Sequence, residues 1–585
     1  MKLFLDLRWY FKQEKWNYLA GVLFLMGASL LSMVPPYVVG LLVDQIRLRT
    51  LTAENLVKWM VFLVIIGIIY YAFGYFWRQF IFGSSIKLSK QLRDTLFRHF
   101  TKMAPQFYHN RRIGDLMAHS TNDIRAVEDA AGDGILTLVD SVSMGAMVIL
   151  SMAILINWKL TLIALIPMPF MAWATSHYGN LLHERFYKAQ AAFSDLNDKV
   201  QESISGVRVT KAFGLEKKET QTFQTMSQDV VDKNISVARI DALFDPTITF
   251  IVAVSYFLSL IFGAVFVVHG SLTIGQLTSF TLYLGQLVWP MLAFGFLFNI
   301  VERGRASYDR IKTLLAIKPD IQDKNQAKAI VPSGNISYQI SHFVYPGAEE
   351  PALKDIFFNL KKGQTLGVVG KTGSGKTTLW RLLLREFDGY DGQITIGEHP
   401  INDLQLLYLR AAIGYVPQDH FLFSATIAEN IAFARPEATQ DEIEAAAKLA
   451  QIHEDILLFK EGYQTVVGER GVTLSGGQKQ RISMARALVI HPEILILDDA
   501  LSAVDAKTEE AILSGIRDNQ QNKTTLISTH RLSTIQHADL ILVLENGRIV
   551  ERGSHDELLS ANKWYAMMYR RQQLESLVEK GGQPS

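Results

Sequence analysis

The 585-residue sequence contains no cysteine, which excludes disulfides and thiolate-held metals and fits a reducing compartment. It carries almost no net charge: 58 Lys and Arg stand against 57 Asp and Glu. Bulk electrostatics therefore gives no argument for nucleic acid as a partner. The first residues lack the uninterrupted apolar run and small-residue cleavage site of a secretory signal. They instead interleave Lys2, Arg8, Lys12 and Lys15 with Phe4, Leu5, Leu7, Trp9, Tyr10 and Phe11, the pattern of an amphipathic helix lying at a membrane interface. Charge is also nearly missing from the middle of six apolar stretches, 18–43, 57–82, 135–156, 160–176, 248–268 and 279–300. Each is about the length, roughly 20 residues, that crosses a hydrocarbon core.

What is present divides the chain in two, as its length requires. Residues 1–316 read as a membrane α-helical domain of six spans. Pro35-Pro36 should kink the first of these. Three connections are short; two, 83–134 and 177–245, are long and helical in pattern. The long ones collect Lys87, Lys90, Arg93, Arg98, Lys102, Arg111, Arg112 and Arg125, then Arg185, Lys188, Lys199, Arg208, Lys211, Lys217, Lys218, Lys233 and Arg239. By the positive-inside rule these lie in the cytoplasm, with both termini. Short transverse helices are expected at their turns, near Thr121-Asn122-Asp123 and Phe213-Gly214-Leu215-Glu216.

Residues 317–333 are polar and punctuated by Pro319 and Pro332, as in a linker. Residues 334–585 alternate strand-like runs with amphipathic helices, the pattern of an α/β domain. There Val368-Val369 leads into Gly370-Lys371-Thr372-Gly373-Ser374-Gly375-Lys376-Thr377-Thr378, a phosphate-binding loop in strand–loop–helix context. Its glycines let backbone N–H groups curl around phosphates, and the following helix adds its positive end. Lys376 should meet the β- and γ-phosphates of ATP, and the Thr377 hydroxyl should bind Mg²⁺. Ile494-Leu495-Ile496-Leu497-Asp498 reads as a buried strand delivering a magnesium-binding carboxylate. Leu474-Ser475-Gly476-Gly477-Gln478 precedes a helical run, and its small residues allow close approach of an anion.

In this order the motifs make the chain resemble an ATP-binding cassette (ABC) exporter half-transporter over nearly its whole length. The resemblance implies a type IV exporter fold joined to a P-loop cassette, in a bacterial plasma membrane. Gly370 through Thr377 stands as Walker A and Leu474 through Gln478 as the LSGGQ signature, whose Ser475, Gly476, Gly477 and Gln478 would bind nucleotide. Tyr345 matches the aromatic that stacks on adenine. Gln418, in Tyr415-Val416-Pro417-Gln418, matches the Q-loop residue that touches Mg²⁺. Ser502-Ala503-Val504-Asp505 matches the D-loop, and His530 the switch histidine. Thr465-Val466-Val467-Gly468-Glu469-Arg470-Gly471 resembles the exporter cross-subunit loop, with Val466 at its usual acidic position.

One departure is chemical. The family normally places Glu, which polarises the attacking water, after the Walker B aspartate; here Asp499 follows Asp498. The missing methylene withdraws the carboxylate by about 1–1.5 Å, and a 1 Å misplacement can cost on the order of 10²-fold. The resemblance implies paired cassettes, each ATP lying between one Walker A and the opposite signature. A slow site on this chain and a partner half-transporter with an intact Glu are therefore expected. Expected cargo is hydrophobic, often cationic, drug-like molecules, in contact with membrane lipids. Candidate cavity residues are Asp140, Phe250, Tyr256, Phe280, Tyr283, Gln286, Trp289 and Phe296, Asp140 singled out because intramembrane acids are expensive. A homodimeric lipid or peptide exporter or flippase, or a sensor subunit using ATP only as a signal, would share these motifs. A soluble ABC protein acting on nucleic acid would need two cassettes and no spans.

Overall fold

The computed structural model describes residues 2–109, 111–468, 474–519 and 522–579. It divides into two compact units, one of residues 1–101 and 111–317, the other of residues 102–110 and 318–585.

The first unit is helical. Lys2–Asp6 and Arg8–Gln13 form the amphipathic entry. Leu3, Leu7 and Tyr10, spaced to share one helix face, are buried, while Leu5 and Trp16 are exposed. Among the described residues, five helical stretches are long and apolar enough to cross a membrane: Lys15–Arg47, Ala53–Phe100, Ile113–Leu165, Glu216–Val268 and Ile274–Leu315. The expected span 160–176 is not one of these single helices, for two local reasons. Asn157 leaves the helical region (φ −161°) and its side chain caps Lys159 and Leu160, so a new helix starts at Trp158. Pro167 then interrupts Trp158–Leu165 before Met168–Ser205 begins. The span is thus assembled from two helices across a proline.

The expected kink in the first span is present, as a break at Met33 between Lys15–Ser32 and Val34–Arg47. Without an N–H, Pro36 leaves the Ser32 carbonyl without its helical donor. Gln286 of the last span donates to that oxygen at 3.1 Å. Tyr283 donates to Met33 O at 2.6 Å and Ser279 to Pro36 O at 2.8 Å. Apolar surroundings demand such internal satisfaction. Farther along, the Asp44 carboxylate accepts from Thr273 Oγ1 and, at 2.8 Å, from the Gly275 amide. A Cβ on Gly275 would overlap the Gly40 carbonyl oxygen, so the two backbones meet only because both residues are glycine.

The first expected transverse helix is misplaced by the sequence reading. His119–Asp123 is a π-helical turn inside a continuous returning helix, not a reversal. Asp123 is buried there, bonded to His119 Nδ1 (2.6 Å) and the Arg310 guanidinium. The reversal lies earlier, where Ala53–Phe100 ends and the short helix Pro105–His109 follows. Pro105 was the available signal, since a helix stops before proline. The second transverse helix is Val207–Ala212, immediately before the turn at Phe213-Gly214-Leu215.

The second unit holds two sheets. β1 (Ile336–Phe343), β2 (Leu353–Leu360), β4 (Asp391–Ile396) and β5 (His399–Pro400) form an antiparallel sheet ordered β2-β1-β4-β5. β3 (Thr365–Gly370), β6 (Ile413–Val416), β7 (Ile494–Asp498), β8 (Thr524–Ser528), β9 (Leu540–Glu545) and β10 (Arg548–Gly553) form the second. Its order is β10-β9-β3-β8-β7-β6, parallel except at β10. β7 and β8 are buried along their whole length, as expected of strands covered on both faces. Much of the polar stretch after residue 317 is tied to this unit: Lys324 pairs with Asp403 at 2.7 Å, and Ser333 donates to Glu493 at 2.7 Å.

Candidate nucleotide site

Strand order brings the chemistry together. β8 lies between β3 and β7, with Ser528 in register with both Val368 and Asp498. The loops leaving these three carboxyl ends are therefore neighbours, where open α/β sheets bind ligands.

β3 delivers the Walker A loop. Gly373 (φ +80°) and Gly375 (φ +103°) hold left-handed backbone that favours glycine. A Cβ on Gly370 would overlap the Leu544 carbonyl oxygen. The Lys376 ammonium is curled inside the loop, donating to Gly370 O at 2.9 Å and Lys371 O at 3.1 Å. Burial lowers its pKa, opposed by Asp499 and Asp498. Ser374 is buried, and its Oγ has no protein partner. A glycine-lined loop with an orphaned hydroxyl and a buried ammonium fits a polyphosphate. The helix Lys376–Leu383 starts from it.

β7 ends in Asp498. Its carboxylate takes hydrogen bonds from Thr377 Oγ1 (3.3 Å), Tyr415 OH (3.5 Å) and Ser528 Oγ, the last itself accepting from Trp380 Nε1 at 3.0 Å. A hydroxyl and a carboxylate this close form a hard oxygen donor set suited to Mg²⁺. The expected metal partner Gln418 lies exposed in the loop after β6.

Asp499 has φ +49°, a region Asp enters more readily than most residues. Its amide donates to Ser528 O at 2.8 Å, and its carbonyl accepts from Ser502 Oγ at 3.1 Å. Burial raises its carboxyl pKa, with His530 and Lys376 pulling the other way. Burial and Lys376 together lower the His530 pKa against the pull of Asp499 and Asp498. Asp499 and His530 thus lie close enough to each other and to Lys376 to shift one another's titration, in the direction that favours a neutral imidazole.

Tyr345 donates to Thr378 Oγ1 at 2.9 Å, at the start of the P-loop helix, its ring edge-on to Phe343 and Phe387. The signature does not join this cluster directly. Ser475 and Gln478 form a capping box on Gly476–Leu488, and Gln478 donates to Asp455 at 3.2 Å. Of the cross-subunit loop, Glu469, Arg470 and Gly471 lie outside the described residues; Val466 is exposed.

The motifs of the sequence do not reveal the partners of two residues, Arg531 and Gln572. Arg531 donates to Ser502 O (3.1 Å) and Val504 O (3.0 Å), tying the switch segment to the D-loop, and pairs with Glu509 at 2.9 Å. Gln572, on the last described helix, bonds the backbone on either side of Arg531. No spacing rule links residue 572 to a motif 42 positions earlier.

Of the proposed cavity residues, Phe280 and Tyr283 are fully buried. Tyr283 and Gln286 serve the proline break, and Tyr256 OH donates to Thr281 O at 3.1 Å. These four are packing or seam residues within this chain; Phe250, Trp289 and Phe296 are exposed, and Asp140 is half-buried.

Comparison with known proteins agrees with this geometry. Residues 18–291 match the family described as ABC transporter transmembrane region, and residues 353–502 the family described as ABC transporter. The chain is 48% identical over 581 residues to the multidrug resistance-like ATP-binding protein MdlA of Escherichia coli, covering 99% of this chain and 98% of the relative. It is 47% identical over 576 residues to the probable multidrug resistance ABC transporter ATP-binding/permease protein YheI of Bacillus subtilis, covering 98% of each. A bacterial Atm1-family ABC exporter solved with ATP bound superposes with a TM-score of 0.79 at 28% identity, covering 95% of this chain and 99% of that one. Exporter-type spans, a P-loop sheet and near full-length relatives converge: the chain belongs to the ABC transporters, as a membrane-embedded exporter whose cassette is an ATPase that binds ATP with Mg²⁺.

Proposed function

We propose that this chain is one half of a multidrug exporter in a bacterial plasma membrane, paired with a different half-transporter that carries Glu where this chain has Asp499. The observation that carries the reading is Asp499 itself, among otherwise complete machinery. Lys376, Thr377, Asp498 and His530 converge, while the group that should polarise water is one methylene short. The chain's own Walker A would then hold ATP and turn it over slowly. Its Ser475–Gln478 signature and D-loop would serve the partner's fast site. This pattern resembles the BmrC subunit of the heterodimeric BmrC–BmrD exporter.

In this reading Thr377, Asp498 and Gln418 hold Mg²⁺, Tyr345 stacks on adenine, and Gly370 to Thr378 wrap the phosphates. ATP closes the cassettes, the transverse helices Pro105–His109 and Val207–Ala212 carry that closure to the spans, and the cavity opens outward. Both termini are cytoplasmic. The names of the MdlA and YheI relatives support drug-like cargo. Among the candidate lining residues, exposed Phe250, Trp289 and Phe296 remain free to meet apolar, cationic molecules.

The test is ATP turnover by the purified chain, alone and with the half-transporter that co-purifies from the native membrane. Slow turnover alone, with a large gain on pairing, is expected. Robust turnover by the lone chain, unaffected by Asp499→Ala, overturns the asymmetric reading in favour of a homodimer. Stimulation by lipids and not by drugs reassigns the cargo.

A further inference from the structure

We propose that Gln572 is a positioning residue for the switch histidine. Its Nε2 donates to His530 O at 2.7 Å, and its Oε1 accepts from Leu532 N at 2.9 Å. One side-chain amide therefore clips the backbone on both sides of Arg531, using the only arrangement that satisfies a donor and an acceptor at once. From the opposite direction Arg531 grips the carbonyls of Ser502 and Val504. The switch segment is held between the D-loop and the helix Trp564–Glu579.

That helix is itself anchored. The Trp564 amide donates to Glu551 at 2.8 Å, and Tyr565, fully buried, meets His555 Nδ1 at 2.8 Å. Gln572 thus reaches the switch from a fixed base. Gln572 lines a cavity of about 260 Å³ together with Gly370, Thr372, His530, Trp564 and Met568. His530 is exposed and borders that cavity, and the hydrogen bonds from Gln572 set where its backbone, and so the imidazole, stands relative to the P-loop. A group placed about 1 Å off can lose on the order of 10²-fold in rate, so a clip of this kind bears on turnover.

The test reads this chain's own site in the full-length transporter, with its partner where one is required. Photolabelling with azido-ATP reports simple binding, and the same label after vanadate trapping reports a committed site. Gln572→Met keeps the volume and removes both hydrogen bonds. It is expected to leave simple binding unchanged and lower trapped label on this chain about tenfold. His530→Ala should lower it at least as far, and the double variant no further, because the two act as a unit. Gln572→Glu, which keeps the bond to Leu532 N, should trap an intermediate amount and provides the second variant should the first fold poorly. Wild-type trapping by Gln572→Met, multiplied losses in the double variant, or an equal fall in simple binding each overturns the assignment. Because vanadate traps the product of hydrolysis, the variants are compared in an Asp499→Glu background, where this chain's site turns over whether or not the wild-type site is slow, so failure of the clip is separable from failure of the asymmetric-site reading.

Discussion

Two places in this molecule gather polar groups around a carboxylate, and they do so to opposite ends. At the seam between the first and last spans, Asp44 accepts from Thr273 and Gly275, while Ser279, Tyr283 and Gln286 take carbonyls beside the proline pair. Each of those donors finds an acceptor, while Gln286 Oε1 is left buried without a protein partner. At the nucleotide site, Ser374 Oγ has no protein partner, Lys376 is curled onto loop carbonyls, and Asp499 and His530 titrate under opposing charge influences. A cluster saturated in donors holds helices; one with an unspent donor, set on a rigid sheet edge, awaits a ligand. Satisfaction of donors, more than the presence of polar residues, separates structure from function here.

The sharpest break of the comparison is Lys376→Ala. Loss of the ammonium should reduce ATP turnover at this site by about 10²–10³-fold, the scale for removing one preorganised charge-stabilising donor. Thermal unfolding should shift little, because the lysine's bonds are only to its own loop. Unchanged turnover would remove the unsaturated cluster from the chemistry.

Asp499→Glu comes next. Restoring the methylene moves the carboxylate outward by about 1–1.5 Å and should raise turnover by the lone chain by about 10–100-fold. The left-handed backbone at φ +49° works against the full gain, since Asp tolerates it better than Glu. Acidity sharpens the same point. Burial raises the Asp499 pKa, so its ionised form is lost as pH falls while ordinary aspartates remain charged. The acid limb of turnover should therefore sit above the usual carboxylate range and vanish in Asp499→Asn. His530, with its pKa lowered, gains its proton only below the usual imidazole range.

Legibility in the sequence followed the same division. The cassette could be read because its chemistry is local: Gly370 to Thr378, Ser475 to Gln478 and the strand ending at Asp498 are contiguous words whose spacing the backbone demands. The spans could be read from length and missing charge. What escaped were features that exist only after folding. The extended Asn157 and Pro167 divide one apolar run into two helices, and Pro105, not the polar Thr121-Asn122-Asp123, marks the first reversal. Tyr283 and Gln286 looked like cavity lining because nothing in the sequence reveals that carbonyls 250 and 254 positions earlier need donors. Gln572 escaped for the same reason.

At the seam the carboxylate side of the comparison can be broken by volume. Gly275→Val places carbon against the Gly40 carbonyl and should destabilise the membrane unit by about 1–3 kcal/mol, the cost of overpacking. A detergent melting curve should show the loss, while ATP binding to the cassette, read by photolabelling, stays as in the wild type.

The smallest expected effect is the most discriminating. Tyr283→Phe removes one hydroxyl that donates to Met33 O at 2.6 Å and leaves the ring in its buried place. A net hydrogen bond contributes about 0.5–1.5 kcal/mol, and an orphaned buried acceptor adds to the loss. The Met33 carbonyl sits at the break between the two helices, where the phenol ties the last span to the first. A drop of a few degrees in melting temperature is expected, with basal ATPase and drug stimulation unchanged, because the hydroxyl is spent on the seam and not offered to cargo. If Tyr283→Phe alters drug selectivity while stability is untouched, the hydroxyl belongs to the transport cavity, and the line drawn between saturated and unsaturated clusters fails at this residue.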